Sequence, residues 1–313
     1  MNDSEITPVT DHLQIATCPV NWNNNDLPGW RPLTPFPDIL DRMREAGYRA
    51  TEYDGAFGSD PETLRSAADA RGLRWTGSYQ WVDFLASEQI ADAIQALRPT
   101  LELLEAIECR NLIVADSLRP QRVALAGRVP SDGSGSLGAS DVDRLADGVH
   151  RLAHAARDFG IAVRYHNHVG TWIEAPHELD ALISRLDRHL VDLCFDTGHY
   201  AYGGGNPADF IQKHHEVIGY LHLKDVDERA VAEARQRHLS FLEALKEYVF
   251  SPIGTGTADI PAILQVLTDH RFPGWIVVEQ DTCEGDATET AKSNLTFIET
   301  WLADRINTRA SGR

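Results

Sequence analysis

Four apolar stretches in the second half of the chain end on a residue type that binds metal ions. They are Val163-Arg164-Tyr165-His166, followed by Asn167-His168; Leu193-Cys194-Phe195-Asp196; Tyr220-Leu221-His222; and Ile276-Val277-Val278-Glu279. Buried imidazoles and carboxylates need partners or a metal, and four at equivalent positions are hard to explain as packing. Two imidazoles and two carboxylates suit a borderline divalent ion, manganese or cobalt first, then magnesium or zinc. A structural zinc site is disfavoured because its ligands come in close pairs. Cys18, Cys109, Cys194 and Cys283 lie 91, 85 and 89 residues apart, with no Cys-x-x-Cys pair, and read as four reduced, packed thiols.

Eight of the 13 histidines fall between residues 166 and 222. His166, His168, His199 and His222 sit at or just beyond the ends of apolar runs and are site candidates. His177, His189, His214 and His215 fall on predicted helices or turns and read as solvated or capping residues. Lys224 follows His222 by two residues, so in a strand it shares the same side. Glu52 and Glu174 lie near predicted strand exits, placed to hydrogen-bond substrate or to orient a ligand.

A common scaffold must bring these residues together. Short β-branched runs alternate with segments of helical period, the pattern of parallel strands joined by helices. The predicted strands are Leu13 to Cys18, Tyr48 to Tyr53, Arg74 to Tyr79, Asn111 to Asp116, Ala162 to His168, Val191 to Asp196, Val217 to His222 and Trp275 to Glu279. Pro35 to Ala46, Pro61 to Ala70 and Ala139 to Phe159 read as helices, each followed by a glycine stop. Eight such units fit a (β/α)₈ TIM barrel over residues 1–313 as a single domain, whose strand ends all open on one mouth. Insertions at about 117–139 and 225–257 follow strands and are candidate rims or lids, among them the Ser/Gly tract Val129 to Ser136 and the helical stretch Glu228 to Tyr248. No Gly-x-Gly-x-x-Gly turn follows the first strand, and there is no Gly-x-Ser-x-Gly elbow. Gly203-Gly204-Gly205 and Gly254-Thr255-Gly256 match no complete phosphate loop and read as turns.

Charge narrows the partners. With 29 Lys and Arg against 47 Asp and Glu, the formal charge is −18, which opposes binding to nucleic acid or anionic lipid. No run approaches the ~18 apolar residues of a membrane helix, and the first residues carry no basic and apolar leader. The expectation is a cytoplasmic protein with a small-molecule substrate.

Phe195-Asp196-Thr197-Gly198-His199, His222-Leu223-Lys224-Asp225 and Val277-Val278-Glu279 resemble the xylose-isomerase-like barrel superfamily of sugar isomerases, epimerases and dehydratases. Within it the chain is most similar to the inosose dehydratases (2-keto-myo-inositol dehydratases). That likeness rests on Pro19 to Pro28, Tyr165 to Thr171, Ser240 to Ala244 and Val249-Phe250, and runs from about residue 13 to 302. The chain departs from the pattern at His166, where many superfamily members have Glu, and at Asn167, inside what is often a run of three histidines. It departs also at Ile253-Gly254-Thr255-Gly256 and at Glu279-Gln280-Asp281-Thr282.

The resemblance implies Asp196, His222 and Glu279 as metal ligands with His166 as a fourth. It also implies a sugar or cyclitol substrate, inositol catabolism and a homo-oligomer. Trp22, Asn23, Glu52 and Glu174 are the expected substrate contacts, with His168, His199, Lys224 and Glu279 as candidates for catalysis. The expected reaction is loss of water from a polyhydroxylated cyclic ketone through an enediolate. The rivals are a sugar isomerase or ketose 3-epimerase, a carbon-glycoside-cleaving subunit, and a non-catalytic sugar-binding protein.

Overall fold

The apolar runs form strands that lie against each other in parallel, with helices covering their outer side, so that β4 is buried along its whole length. The structure is a computed structural model describing residues 13–86 and 90–311. Its barrel strands are β1 (Gln14–Thr17), β2 (Ala50–Tyr53), β3 (Arg74–Val82), β4 (Asn111–Asp116), β5 (Ala162–His166), β6 (Val191–Asp196), β7 (Ile218–Leu223) and β10 (Trp275–Val278). Between β7 and β10, the short β8 (Asp225–Val226) and β9 (Phe250–Ser251) pair with each other antiparallel. The barrel closes in the order β1-β10-β7-β6-β5-β4-β3-β2, so all eight predicted runs are barrel strands and the (β/α)₈ expectation holds.

The first helices are α1 (Asp38–Glu45), α2 (Pro61–Asp69), α3 (Ile90–Ala106), α4 (Pro120–Leu125), α5 (Ala139–Arg157) and α6 (Pro176–Ile183). They are followed by α7 (Thr197–Tyr202), α8 (Pro207–His214), α9 (Glu228–Gln236), α10 (Phe241–Lys246), α11 (Ile260–Asp269) and α12 (Ala287–Ser311). The predicted 228–248 helix is divided into α9 and α10. His238 takes a left-handed backbone, φ 54°, and Ser240 starts a new helix through a capping box with Glu243.

Period-two alternation sorts the barrel interior into layers. At the lower end Arg164 pairs with Asp192 and donates to Asn111 Oδ1 at 3.1 Å. A side chain on Gly219 would collide with that guanidinium, so this strand position requires glycine. The middle is apolar: Ala16, Ala50, Ile113, Cys194, Tyr220 and Val277. The next positions up, Asp196 on β6 and His222 on β7, are paired in register at the mouth. Cys18, Cys109, Cys194 and Cys283 are buried free thiols, as expected.

The two insertions behave differently. The tract 129–136 does not line the mouth. It docks on α6 through Ser136 Oγ, which donates to Glu178 Oε1 at 2.7 Å and lies 3.0 Å from His177 Nε2. In the second insertion, Phe241 packs edge-on against His168 and obliquely against His199, with ring centroids 5.4 and 5.6 Å apart, and so forms a floor behind the site. Among the described residues no helix is long and apolar enough to cross a membrane.

Candidate metal centre and active site

The four strand-end residues converge. His166 Nε2 lies 3.2 Å from His222 Nδ1 and 3.5 Å from Asp196 Oδ2. His222 Nδ1 lies 3.9 Å from Asp196 Oδ2 and 2.6 Å from Glu279 Oε2. Donor atoms about 2.1 Å from a shared ion sit about 3.0–3.4 Å apart along tetrahedral or octahedral edges, so this spacing brackets a single ion. Asp196 Oδ2 is buried and lacks a hydrogen-bond partner, a costly state that a cation relieves. The residues therefore fit a divalent metal on the chemistry of the donor set and on an orphaned carboxylate oxygen.

Each donor is aimed by a neighbour. Asp196 caps α7 by accepting from His199 N–H at 2.7 Å through Oδ1, which leaves Oδ2 directed into the centre. Asn167 grips the Asp196 backbone at both ends: its Oδ1 accepts from Asp196 N–H at 3.0 Å and its Nδ2 donates to Asp196 O at 3.1 Å. The departure from a histidine run thus gives an amide clamp that a histidine ring cannot reproduce.

Glu52, expected to hydrogen-bond substrate or to orient a ligand, lines the cavity, with its Oε1 2.9 Å from His222 Nε2 and accepting from Tyr220 OH at 3.0 Å. This is the position that the outer carboxylate of a carboxylate–histidine–metal arrangement would take. Burial works against charge on His222, yet with carboxylates at both nitrogens its pKa lies well above the ordinary imidazole range.

Lys224 is fully buried beneath the centre. Its Nζ donates to Glu279 Oε1 at 2.7 Å and Asp281 Oδ1 at 3.0 Å, and lies 3.3 Å from Asp196 Oδ2 and 3.1 Å from His199 Nε2. Burial opposes its charge, but Asp196, Asp281 and Glu279 outweigh it and hold the amine well above its usual pKa. A Cβ on Gly198 would come within 2.5 Å of the Lys224 stem, so the Gly in Asp-Thr-Gly-His is the space through which the lysine passes.

A cavity of about 200 Å³ opens above the donors, room for one small molecule rather than a drug-sized ligand. His166, His168, His222 and Glu279 line it, together with the aromatic rings of Tyr79 and Trp81 and with Asp26, Asp54 and Asp281. His168 Nδ1 lies 2.7 Å from the Val169 carbonyl, which only accepts, so Nδ1 carries the proton and Nε2 keeps its lone pair. Burial, then the charges of His166 and Lys224, hold His168 well below the usual imidazole pKa and leave it neutral.

Other predicted site residues lie elsewhere. Glu174 is buried away from the cavity and accepts from Gly170 and Gly127 N–H at 2.8 and 2.7 Å, tying the β5 exit loop to the first insertion. Trp22 is turned outward into the apolar core and donates to Thr288 Oγ1 at 3.1 Å. Asn23 reaches the cavity edge, but its amide is spent on both backbone polar groups of Thr34. His199 and Lys224 lie behind the cavity lining.

The Gly254–Gly256 backbone does cradle an anion, but an internal one. Asp225 Oδ2 accepts from Gly254 and Gly256 N–H at 2.9 and 3.0 Å, fixing the turn. Sequence reasoning missed Tyr79, Trp81, Asp26, Asp54 and Asp281. Tyr79 and Trp81 alternate along a strand end, and Asp281 stands two residues past Glu279; these were signals available in the pattern.

Fold and site together define a (β/α)₈ barrel enzyme with a buried imidazole and carboxylate cluster suited to a divalent metal. The model of the xylose isomerase-like TIM barrel family matches residues 40–301, and the chain belongs to that family. It is 31% identical over 274 residues to inosose dehydratase of Geobacillus kaustophilus (strain HTA426), covering 86% of this chain and 87% of the relative. It is 32% identical over 270 residues to the rhizopine catabolism protein MocC of Rhizobium meliloti, covering 86% and 82%. Among solved structures it is similar to the probable 3-DHS dehydratase AsbF of Bacillus anthracis, with a TM-score of 0.71, 14% identity, and coverage of 91% and 98%. The IOLI protein with a bound zinc atom superposes with a TM-score of 0.69 at 13% identity, covering 92% and 98%.

Proposed function

We propose that the chain is a cytoplasmic, divalent-metal-dependent hydro-lyase that removes water from a polyhydroxylated cyclic ketone of the 2-keto-myo-inositol type by way of an enediolate. The observation that carries the proposal is the convergence of His166 Nε2, Asp196 Oδ2, His222 Nδ1 and Glu279 Oε2 beside a small cavity that His166, His222 and Glu279 line. The inosose dehydratase relatives and the zinc named with the IOLI protein support it. Those four side chains would hold the ion, manganese or cobalt by the donor set, and bound there it would supply Lewis-acid charge to an oxyanion next to the carbon that loses its proton.

The protein's own groups do the rest. His168 Nε2, neutral and facing the cavity, accepts the proton from the carbon next to the ketone. Tyr79 and Trp81 offer ring faces to the C–H side of the substrate and exclude water. Lys224 holds Glu279 and Asp281 in place from below, and His199 fixes the lysine in turn. Glu279 would serve as a ligand through Oε2 while Lys224 holds its Oε1.

A screen of keto-inositols and ketoses with manganese, cobalt, magnesium, zinc and a chelated control tests this reading. The expected result is metal-stimulated appearance of an ultraviolet-absorbing enone or dione from a keto-inositol. Recovery of an epimerised ketose with no loss of water would replace the dehydratase with an epimerase.

A further inference from the structure

Loss of a hydroxyl as water needs an acid as well as a base, and His168 is committed as the base in the reading above. Five carboxyls line the cavity, and four of them are already engaged. Glu52 Oε1 is held by Tyr220 and His222. Glu279 is held by Lys224 and His222, and Asp281 by Lys224. Asp54 accepts from Ala56 N–H at 2.7 Å and from Asn25 Nδ2 at 3.1 Å. Asp26 is the exception: its backbone N–H is tied to Asn24 Oδ1 at 2.8 Å, but among the described residues no donor reaches its carboxyl.

The loop that carries Asp26 is fixed at each preceding asparagine. Asn21 donates to Val278 O at 3.1 Å and accepts from Gln280 N–H at 2.9 Å. Asn24 donates to Asp281 O at 3.0 Å, and Asn25 reaches Asp54. A loop anchored to the strand end that supplies Glu279 holds its one free carboxyl over the cavity, on a different element from His168.

From this geometry we infer that Asp26 is a catalytic residue, the general acid that protonates the departing β-hydroxyl. As the C–O bond breaks, its electron pair stays with oxygen. That oxygen takes the Asp26 proton and leaves as water, while the enediolate electrons form the new C=C bond. His168 then releases the α-proton to solvent and the Asp26 carboxylate takes one up from it, so the cycle closes without a co-reactant. Burial raises the Asp26 carboxyl above its ordinary range, opposed by the Lys224 charge and assisted by Glu279, which favours the protonated form this role needs.

The inference rests on the dehydratase reading, and the test separates the two. With a keto-inositol that the wild-type enzyme dehydrates, Asp26→Asn is assayed for water loss and, in D2O, for exchange of the α-proton in recovered substrate. Water loss is expected to fall about 10²–10⁴-fold with α-proton exchange retained. The β-fluoro analogue, whose leaving group needs no proton, is expected to eliminate fluoride at a rate within a few-fold of wild type. Equal loss of exchange and elimination, or water loss at the wild-type rate, would overturn the assignment. A wild-type enzyme that dehydrates nothing would instead overturn the function itself. A check that needs no variant compares wild-type pH profiles for the two substrates. The hydroxyl substrate is expected to lose rate as pH rises through the Asp26 pKa while the fluoro analogue does not, and superimposable profiles would count against the acid.

Discussion

The two ends of the barrel interior bury charge in opposite ways. At the lower end one cation meets one anion: Arg164 pairs with Asp192, Asn111 takes a further guanidinium hydrogen bond, and the glycine at position 219 leaves room for the pair. At the mouth, Asp196, Glu279 and Asp281 crowd one lysine, Glu52 and Glu279 flank His222, and Asp196 Oδ2 has no hydrogen-bond partner. The lower end pairs its charges one to one within the chain, whereas the mouth gathers more carboxyls than cations, an arrangement that a divalent ion would complete. A folding requirement alone would have produced two ends like the lower one, because unpaired buried charge costs stability. The excess at the mouth therefore suits the binding of a cation.

Substitutions at the two ends sharpen this contrast. The largest effect is expected from Asp196→Asn, which removes a donor from the metal centre. Turnover should fall by roughly 10³-fold or more, corresponding to several kcal/mol of lost charge stabilisation, with bound metal measured by elemental analysis falling in parallel. His168→Gln should cost about a hundredfold in turnover while the ion stays bound, and suppressed α-proton exchange would distinguish it from an Asp26 variant. Glu52→Gln should weaken metal binding about 10–100-fold through the loss of the carboxylate behind His222, read as a shift in the activating metal concentration.

At the lower end Gly219→Ala should lower stability by about 1–3 kcal/mol through forced displacement of Arg164, seen as a lower denaturation midpoint. Its kcat with saturating metal should match wild type. A Gly219 variant that lost metal, or an Asp196 variant that kept it, would erase the distinction between the two ends.

Much of the scaffold is legible in the sequence because parallel strands covered on both faces read as continuous apolar runs, and their polar ends stand out against that background. His166, Asp196, His222 and Glu279 carry this signal, and they meet because barrel topology brings strand ends together. Asp26, Asp54 and Asp281 carry no such contrast: they sit in polar loops, where an acid that faces a cavity looks like one that faces water. Glu174 shows the converse limit. It stands near a strand exit, as a substrate contact would, but its carboxylate is consumed by backbone N–H groups of its own loop and of the first insertion. The same holds for Trp22, whose place in an asparagine-rich segment gives no indication that the ring turns outward to Thr288. Which side of a loop a residue faces depends on hydrogen bonds between segments far apart in the chain, such as Asn24 with Asp281, and no local pattern encodes them.

The central claim is that the acidic mouth is completed by a divalent ion required for loss of water. It is tested most directly by stripping the wild-type protein with a chelator and titrating manganese back while following product absorbance from a keto-inositol. The account predicts no turnover in the stripped protein and a linear recovery that breaks at one ion per chain. Full turnover in the stripped protein, with no response to added ion, would contradict it.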